Sequence, residues 1–106
     1  MNTPIKFDEI WIGLANVKID RARSGIADAD YAYVTVLGLA KDTSDFEEKV
    51  AQVLSLQYFK LLELEEMEKF TERIQKCKVE RSILDLAKDL INGDTEVKLS
   101  TFHTYD

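Results

Sequence analysis

Two long apolar runs open the chain, and their patterns differ. Ile10-Trp11-Ile12-Gly13-Leu14-Ala15-Asn16-Val17-Lys18-Ile19 is apolar on both parities, which is how a strand buried on both faces reads. Gly13 and Asn16 disfavour a helix there and predict a bulge or a close backbone approach. In the second run, Tyr31 to Ala40, residues Tyr31, Tyr33, Thr35, Leu37 and Leu39 fall on one face and Val34 and Val36 on the other. Its aromatic and β-branched content predicts the clearest strand in the chain. Between the two, Asp20 to Asp30 carries Ser24-Gly25 and scattered charge, the signature of a mobile connection.

The period then changes. Ser44-Asp45-Phe46-Glu47 matches a capping box at a helix start, and Phe46, Val50, Val53 and Leu54 follow as a single stripe of an amphipathic helix. Tyr58 to Glu65 alternates again, with Leu62 and Leu64 inward and Glu63 and Glu65 outward. Met67 and Phe70 tuck a loop or short turn against the core. A second helix is predicted from Val79 to Ile91, stopped by Asn92-Gly93. The last strand, Glu96 to Tyr105, alternates Val97, Leu99, Thr101, His103 and Tyr105 against Lys98, Ser100, Phe102 and Thr104.

The element order is thus β-β-α-β-α-β. It predicts a two-layer α+β domain, with a four-stranded, mainly antiparallel or mixed sheet and two helices on one face. If the second and third strands are parallel, the helix between them makes a right-handed crossover. All 106 residues fit one domain, since a chain of this length cannot divide its apolar content between two cores.

Charge sharpens the picture. From Asp42 to Glu68 there are eight carboxylates against two lysines, and the remainder of the chain is neutral, so the net charge of −6 resides in one quarter of it. Such a block attracts a basic partner and repels nucleic acid, and an acidic chain lacks the clustered Lys and Arg that phosphate neutralisation requires. Asp45, Glu47, Glu48, Glu63, Glu65, Glu66 and Glu68 are therefore the candidate partner-binding residues. No stretch is long and apolar enough to cross a membrane, and Met1 to Phe7 lacks the basic and apolar segments of a signal peptide. The single cysteine, Cys77, fits a reducing compartment, so a cytoplasmic location is expected.

Candidate chemistry is sparse, and no enzyme is predicted. His103 is the only histidine, and no nucleophile or Gly-rich loop accompanies it, although Thr101, Thr104, Tyr105 and Asp106 stand close in sequence. Neither Asp28-Ala29-Asp30 nor Glu63-Leu64-Glu65-Glu66 has the spacing of a calcium loop, Cys77 has only His103 as a conceivable partner, and the glycines are isolated rather than grouped as a phosphate cradle. No metal, cofactor or catalytic residue is expected. An alternative to protein binding is a small-molecule or regulatory domain with a pocket around Trp11, Asn16, Tyr33 and His103. An exposed sheet edge leaves both a monomer and a homodimer open.

Three stretches, Trp11-Ile12-Gly13-Leu14-Ala15-Asn16-Val17-Lys18, Ala32 to Ala40 and Thr101-Phe102-His103-Thr104-Tyr105, resemble those of a group of small uncharacterised bacterial proteins. In size, acidity and strand-helix order the chain also resembles immunity proteins of contact-dependent growth inhibition and related toxin systems. That resemblance implies a cytoplasmic inhibitor that binds a toxin domain, often a nuclease, and blocks its active site. It carries no binding residues with it.

Overall fold

A computed structural model describes residues 9–26, 28–93 and 95–105; the signal-peptide reading of Met1 to Phe7, and Asp106, lie outside these. The sheet is built from β1 (Ile10–Ile19), β2 (Tyr31–Leu39), β3 (Phe59–Lys69), β4 (Val97–Leu99) and β5 (His103–Tyr105). Its order is β3-β1-β2-β4, with β5 also paired to β2, and every pairing is antiparallel. Four helices accompany it: α1 (Arg21–Ser24), α2 (Thr43–Leu56), α3 (Phe70–Lys76) and α4 (Arg81–Asn92). The α+β class and the mainly antiparallel sheet are as expected from the sequence.

The helices divide between the two faces of the sheet. Phe46, Val50 and Leu54 of α2 pack on Ala15, Val17, Val34 and Val36, which share one parity of β1 and β2. On the other parity, Ile10, Ile12 and Leu37 pack against Phe70 of α3 and Ala87 and Leu90 of α4. The two main helices therefore lie on opposite faces, where the sequence reading had placed both on one. This is why β1 is apolar on both parities: its first half is covered twice. Since β2 and β3 both run antiparallel to β1, they are parallel to one another, and α2 carries the chain across β1 between them.

Several boundaries differ from the pattern, each for a local reason. Asp42, not Ser44, caps α2, accepting from the Asp45 amide at 2.8 Å, while the Asp45 carboxylate reaches back to the Lys41 amide at 3.0 Å. The reciprocal cap is thus displaced by two residues and uses carboxylates, which suit a helix N-terminus. Asp20 caps the single turn of α1 inside the segment expected to be a mobile connection. Strand β3 continues through Met67 to Lys69, and Phe70, fully buried, starts α3 rather than closing a loop.

Register irregularities set the rest. Opposite β1, β3 shifts between Ile12 and Leu14 and again between Asn16 and Val17. Glu66, at φ 55°, sits in the left-handed region within the first shift, and Gly13 lies opposite it: a Cβ there would meet Leu64 Cδ1 at 3.1 Å and the Glu65 carbonyl oxygen at 3.3 Å. The close approach expected at Gly13 is real. At the second shift Leu62 is the extra residue, so Leu61 and Leu64 turn inward and Leu62 stays exposed. Gly38 likewise makes room, since a Cβ there would press on the Phe46 ring at 3.0 Å.

The terminal strand is two pieces. β4 pairs Val97 with Gly38 and Leu99 with Val36, whereas β5 pairs His103 with Tyr33 and Tyr105 with Tyr31. The register moves by one residue across Ser100 to Phe102, and a one-residue shift exchanges the faces. Val97 and Leu99 therefore join the α2 core while His103 and Tyr105 point to the opposite side. Phe102, inside the irregular stretch, stacks on Phe59 with centroids 4.7 Å apart.

Candidate functional site

The α3 and α4 layer covers only the Ile10, Ile12, Leu37 and Leu39 end of its face. Farther along the same face the register brings three cross-strand rows together. Glu63 of β3 stands opposite Asn16 of β1, Asn16 opposite Tyr33 of β2, and Tyr33 opposite His103 of β5. One row toward α4 lie Glu65, Leu14 and Thr35; one row the other way lie Lys60, Lys18, Tyr31 and Tyr105. Each residue reaches this face because strand side chains alternate, with the two bulges of β3 and the shift before β5 correcting the parity.

The centre of the face is organised. The Tyr105 ring lies between Tyr31 and Tyr33, with centroids at 5.5 and 5.0 Å and interplanar angles of 22° and 20°. Its hydroxyl donates to Asn16 Oδ1 at 2.6 Å, bridging over β2 to β1. The neighbouring Tyr105 hydroxyl holds the Tyr33 pKa above the usual tyrosine value, helped by partial burial and by the charges of Glu65 and Glu63. Glu65 is raised above the ordinary carboxylate range because Glu63 hydrogen-bonds to it and repels its charge. Two carboxylates, two phenols and an amide oxygen thus converge, a set rich in acceptors and in negative potential. A cation with several N–H donors would satisfy it and relieve the repulsion between the two glutamates. The ring stack adds a π surface of the kind that attracts guanidinium and ammonium groups.

The seven acidic candidates do not form one patch. Glu47 and Glu48 are exposed on α2, across the sheet from Glu63 and Glu65. Asp45 is occupied at the start of α2 by the Lys41 amide, which together with Lys49 holds its carboxyl below the usual range. Glu68 is engaged by Lys76 at 3.0 Å and Arg73 at 3.3 Å, tying β3 to α3. Glu66 is exposed at the bulge. Of the seven, Glu63 and Glu65 are the two whose charges reach the Tyr33 hydroxyl.

The proposed pocket residues divide in a similar way. Asn16, Tyr33 and His103 are direct cross-strand neighbours, but Trp11 is on the α2 side, stacked on Phe46 at 6.5 Å with its indole N–H donating to the Ala40 carbonyl at 3.0 Å. The four do not line one cavity, because β1 alternates and Trp11 and Asn16 have opposite parity. Cys77 and His103 both line a depression of about 260 Å³ between the sheet and the connection from α3 to α4, with Thr35, Arg73 and Ser100. The sequence reading passed over Tyr105 as a site residue; the signal available was its spacing of two from His103, which keeps both on one face of a strand.

Among the described residues, no group of three or more His, Cys, Asp and Glu side chains is placed to hold a metal ion. None of their helices is long and apolar enough to cross a membrane. No protein-family description matches the sequence, and no curated protein or solved structure matches the chain.

Proposed function

We propose that this chain is a binding protein whose uncovered sheet face docks a cationic protein domain, and that the partner is a bacterial toxin, in particular a nuclease, which it neutralises in the cytoplasm as an immunity protein. The observation that carries this reading is the convergence of Glu63 and Glu65 with the Tyr31-Tyr105-Tyr33 stack on the part of the sheet that none of the helices in the described residues covers. Carboxylates placed there meet the Arg and Lys side chains that a nuclease uses to hold phosphate, and the aromatic rings supply the contact area typical of binding hot spots. The assignment to toxin neutralisation draws on the resemblance in size, acidity and element order.

Co-expression with a cationic nuclease toxin domain encoded beside this chain tests the proposal. Glu63→Lys combined with Glu65→Lys abolishes protection of the cells and slows association with the purified domain, with a weaker salt dependence. Glu47→Lys, on the other side of the sheet, leaves protection intact. Equal effects of the reversal pair and of Glu47→Lys, or none from the pair, refute this placement of the interface.

A further inference from the structure

The outer edge of β3 lies beside this face, and it has properties of its own. Among the described residues no strand pairs with the outer side of Phe59–Lys69, so its amides and carbonyls offer hydrogen bonds to an added strand. Three of the four large apolar side chains exposed in the described residues cluster at its start: Leu56 at 81%, Tyr58 at 49% and Leu62 at 46% exposure. On the α2 side of the edge, an open depression of about 600 Å³ runs between Ala51 and Ser55 of α2 and Tyr58, Phe59 and Leu61, with Lys18, Asp20 and Lys60 also lining it. It adjoins a second hollow of about 550 Å³ lined by Ala51, Ser55 and Leu56 together with Glu48 and Gln52. On the opposite side of the same edge stand Glu63 and Glu65, with Lys60 on that side nearer the start of the strand, so the acidic part of the edge is confined to Glu63–Glu65.

Resting on the reading of the protein as a partner of a cationic domain, we propose that an extended segment of that partner adds to the sheet at the outer edge of β3, centred on Glu63–Glu65. Alternation within an added strand fixes its character. Residues facing the uncovered sheet face meet Glu63 and Glu65 and must be basic. Their neighbours face Ala51, Ser55, Leu56 and Leu61 and must be apolar. The occupant is thus an alternately basic and apolar strand. A second copy of this chain is a poor occupant: two β3 edges paired antiparallel about Leu64 set Glu63 against Glu65 of the other copy, and like charges directly opposite are destabilising.

The probe is a synthetic peptide, Arg-Val-Arg-Val-Arg-Val, compared with Arg-Arg-Arg-Val-Val-Val of equal charge and composition and with a version of the first that is N-methylated at alternate amides. Binding is followed on the isotopically labelled full chain by amide chemical shifts and hydrogen exchange. The alternating peptide binds about tenfold more tightly than the block peptide and slows exchange of edge amides between Phe59 and Glu65; N-methylation removes the advantage. Leu56→Asp, exposed and outside the core, reduces the preference for the alternating peptide. Equal affinity of alternating and block peptides, binding by neither, or shifts confined to Tyr33, Tyr105 and His103 overturns addition at the edge. The last pattern leaves the docking face itself standing, and that face is tested separately by the Glu63 and Glu65 reversal.

Discussion

Removing the Tyr105 hydroxyl tests the organisation of the tyrosine-bearing sheet face directly. Strand β5 is three residues long and, among the described residues, pairs with β2 alone, so Tyr105, whose hydroxyl reaches Asn16 on β1, is the clamp that seats it. In Tyr105→Phe the ring stack survives and one neutral hydrogen bond is lost, a net cost of about 0.5–1.5 kcal/mol. The low end applies, because Asn16 is only half-buried and water can replace the hydroxyl. Tyr105→Ala also loses both ring contacts, each worth about 0.5–1.5 kcal/mol beyond area burial, for about 1.5–3.5 kcal/mol in all. Against a total stability of about 5–15 kcal/mol the second change is severe. Urea unfolding of Tyr105→Phe, Asn16→Ala and the double variant closes a thermodynamic cycle. The double variant loses no more than the worse single variant, giving a coupling of about 0.5 kcal/mol. Additive losses, or a Tyr105→Ala variant as stable as the parent, refute the clamp and with it the preorganised face.

Phe46→Ala empties a fully buried ring site between α2 and the sheet and costs about 3–5 kcal/mol by chemical denaturation; a loss below about 1 kcal/mol contradicts the packing described. Glu68 supplies a pH signature. Lys76, and after it Arg73, hold its carboxyl below the usual range, so its contribution to stability is fully present above the ordinary carboxylate pKa and is lost as the pH falls through its own depressed value. Glu68→Gln therefore flattens the acid limb of a plot of melting temperature against pH, and an unchanged limb counts against the pairing. For Glu65 the sign reverses: Glu63 raises its pKa, so Glu63→Gln brings the Glu65 titration, followed by side-chain carboxyl NMR, back toward the usual value. Binding of a cationic partner to the parent protein strengthens as the pH rises through that titration.

Much of this molecule is legible in its sequence because the physics is local. The alternation of Tyr31 to Leu39 specifies β2, the Phe46, Val50 and Leu54 stripe specifies the buried side of α2, and the double-parity run of β1 announces cover on both faces. The excess of carboxylates between Asp42 and Glu68 marks the acidic quarter to which Glu63 and Glu65 belong. Turn α1 was missed because its cap, Asp20, stands among charges that read as a loop. Helix α3 was missed because seven residues are too few for a periodic stripe to emerge, and it is held instead by Phe70 and by the Glu68 ion pairs.

What the tertiary structure alone decided is which side each residue faces. Strand periodicity has a period of two, so a single extra residue exchanges every side chain beyond it between core and surface. Strand β3 contains two such irregularities, and one more lies between β4 and β5. Local composition foreshadows only the first, through Gly13, which leaves room for Leu64; the others are set by Phe102 against Phe59 and by the pairing available along β2. Together they turn Glu63, Glu65, His103 and Tyr105 onto one face and leave Glu47 and Glu48 on the far side of the sheet. The sequence by itself determined that the protein is acidic and where along the chain the acid lies. Only the packed sheet decided that two of those carboxylates meet a stack of tyrosines.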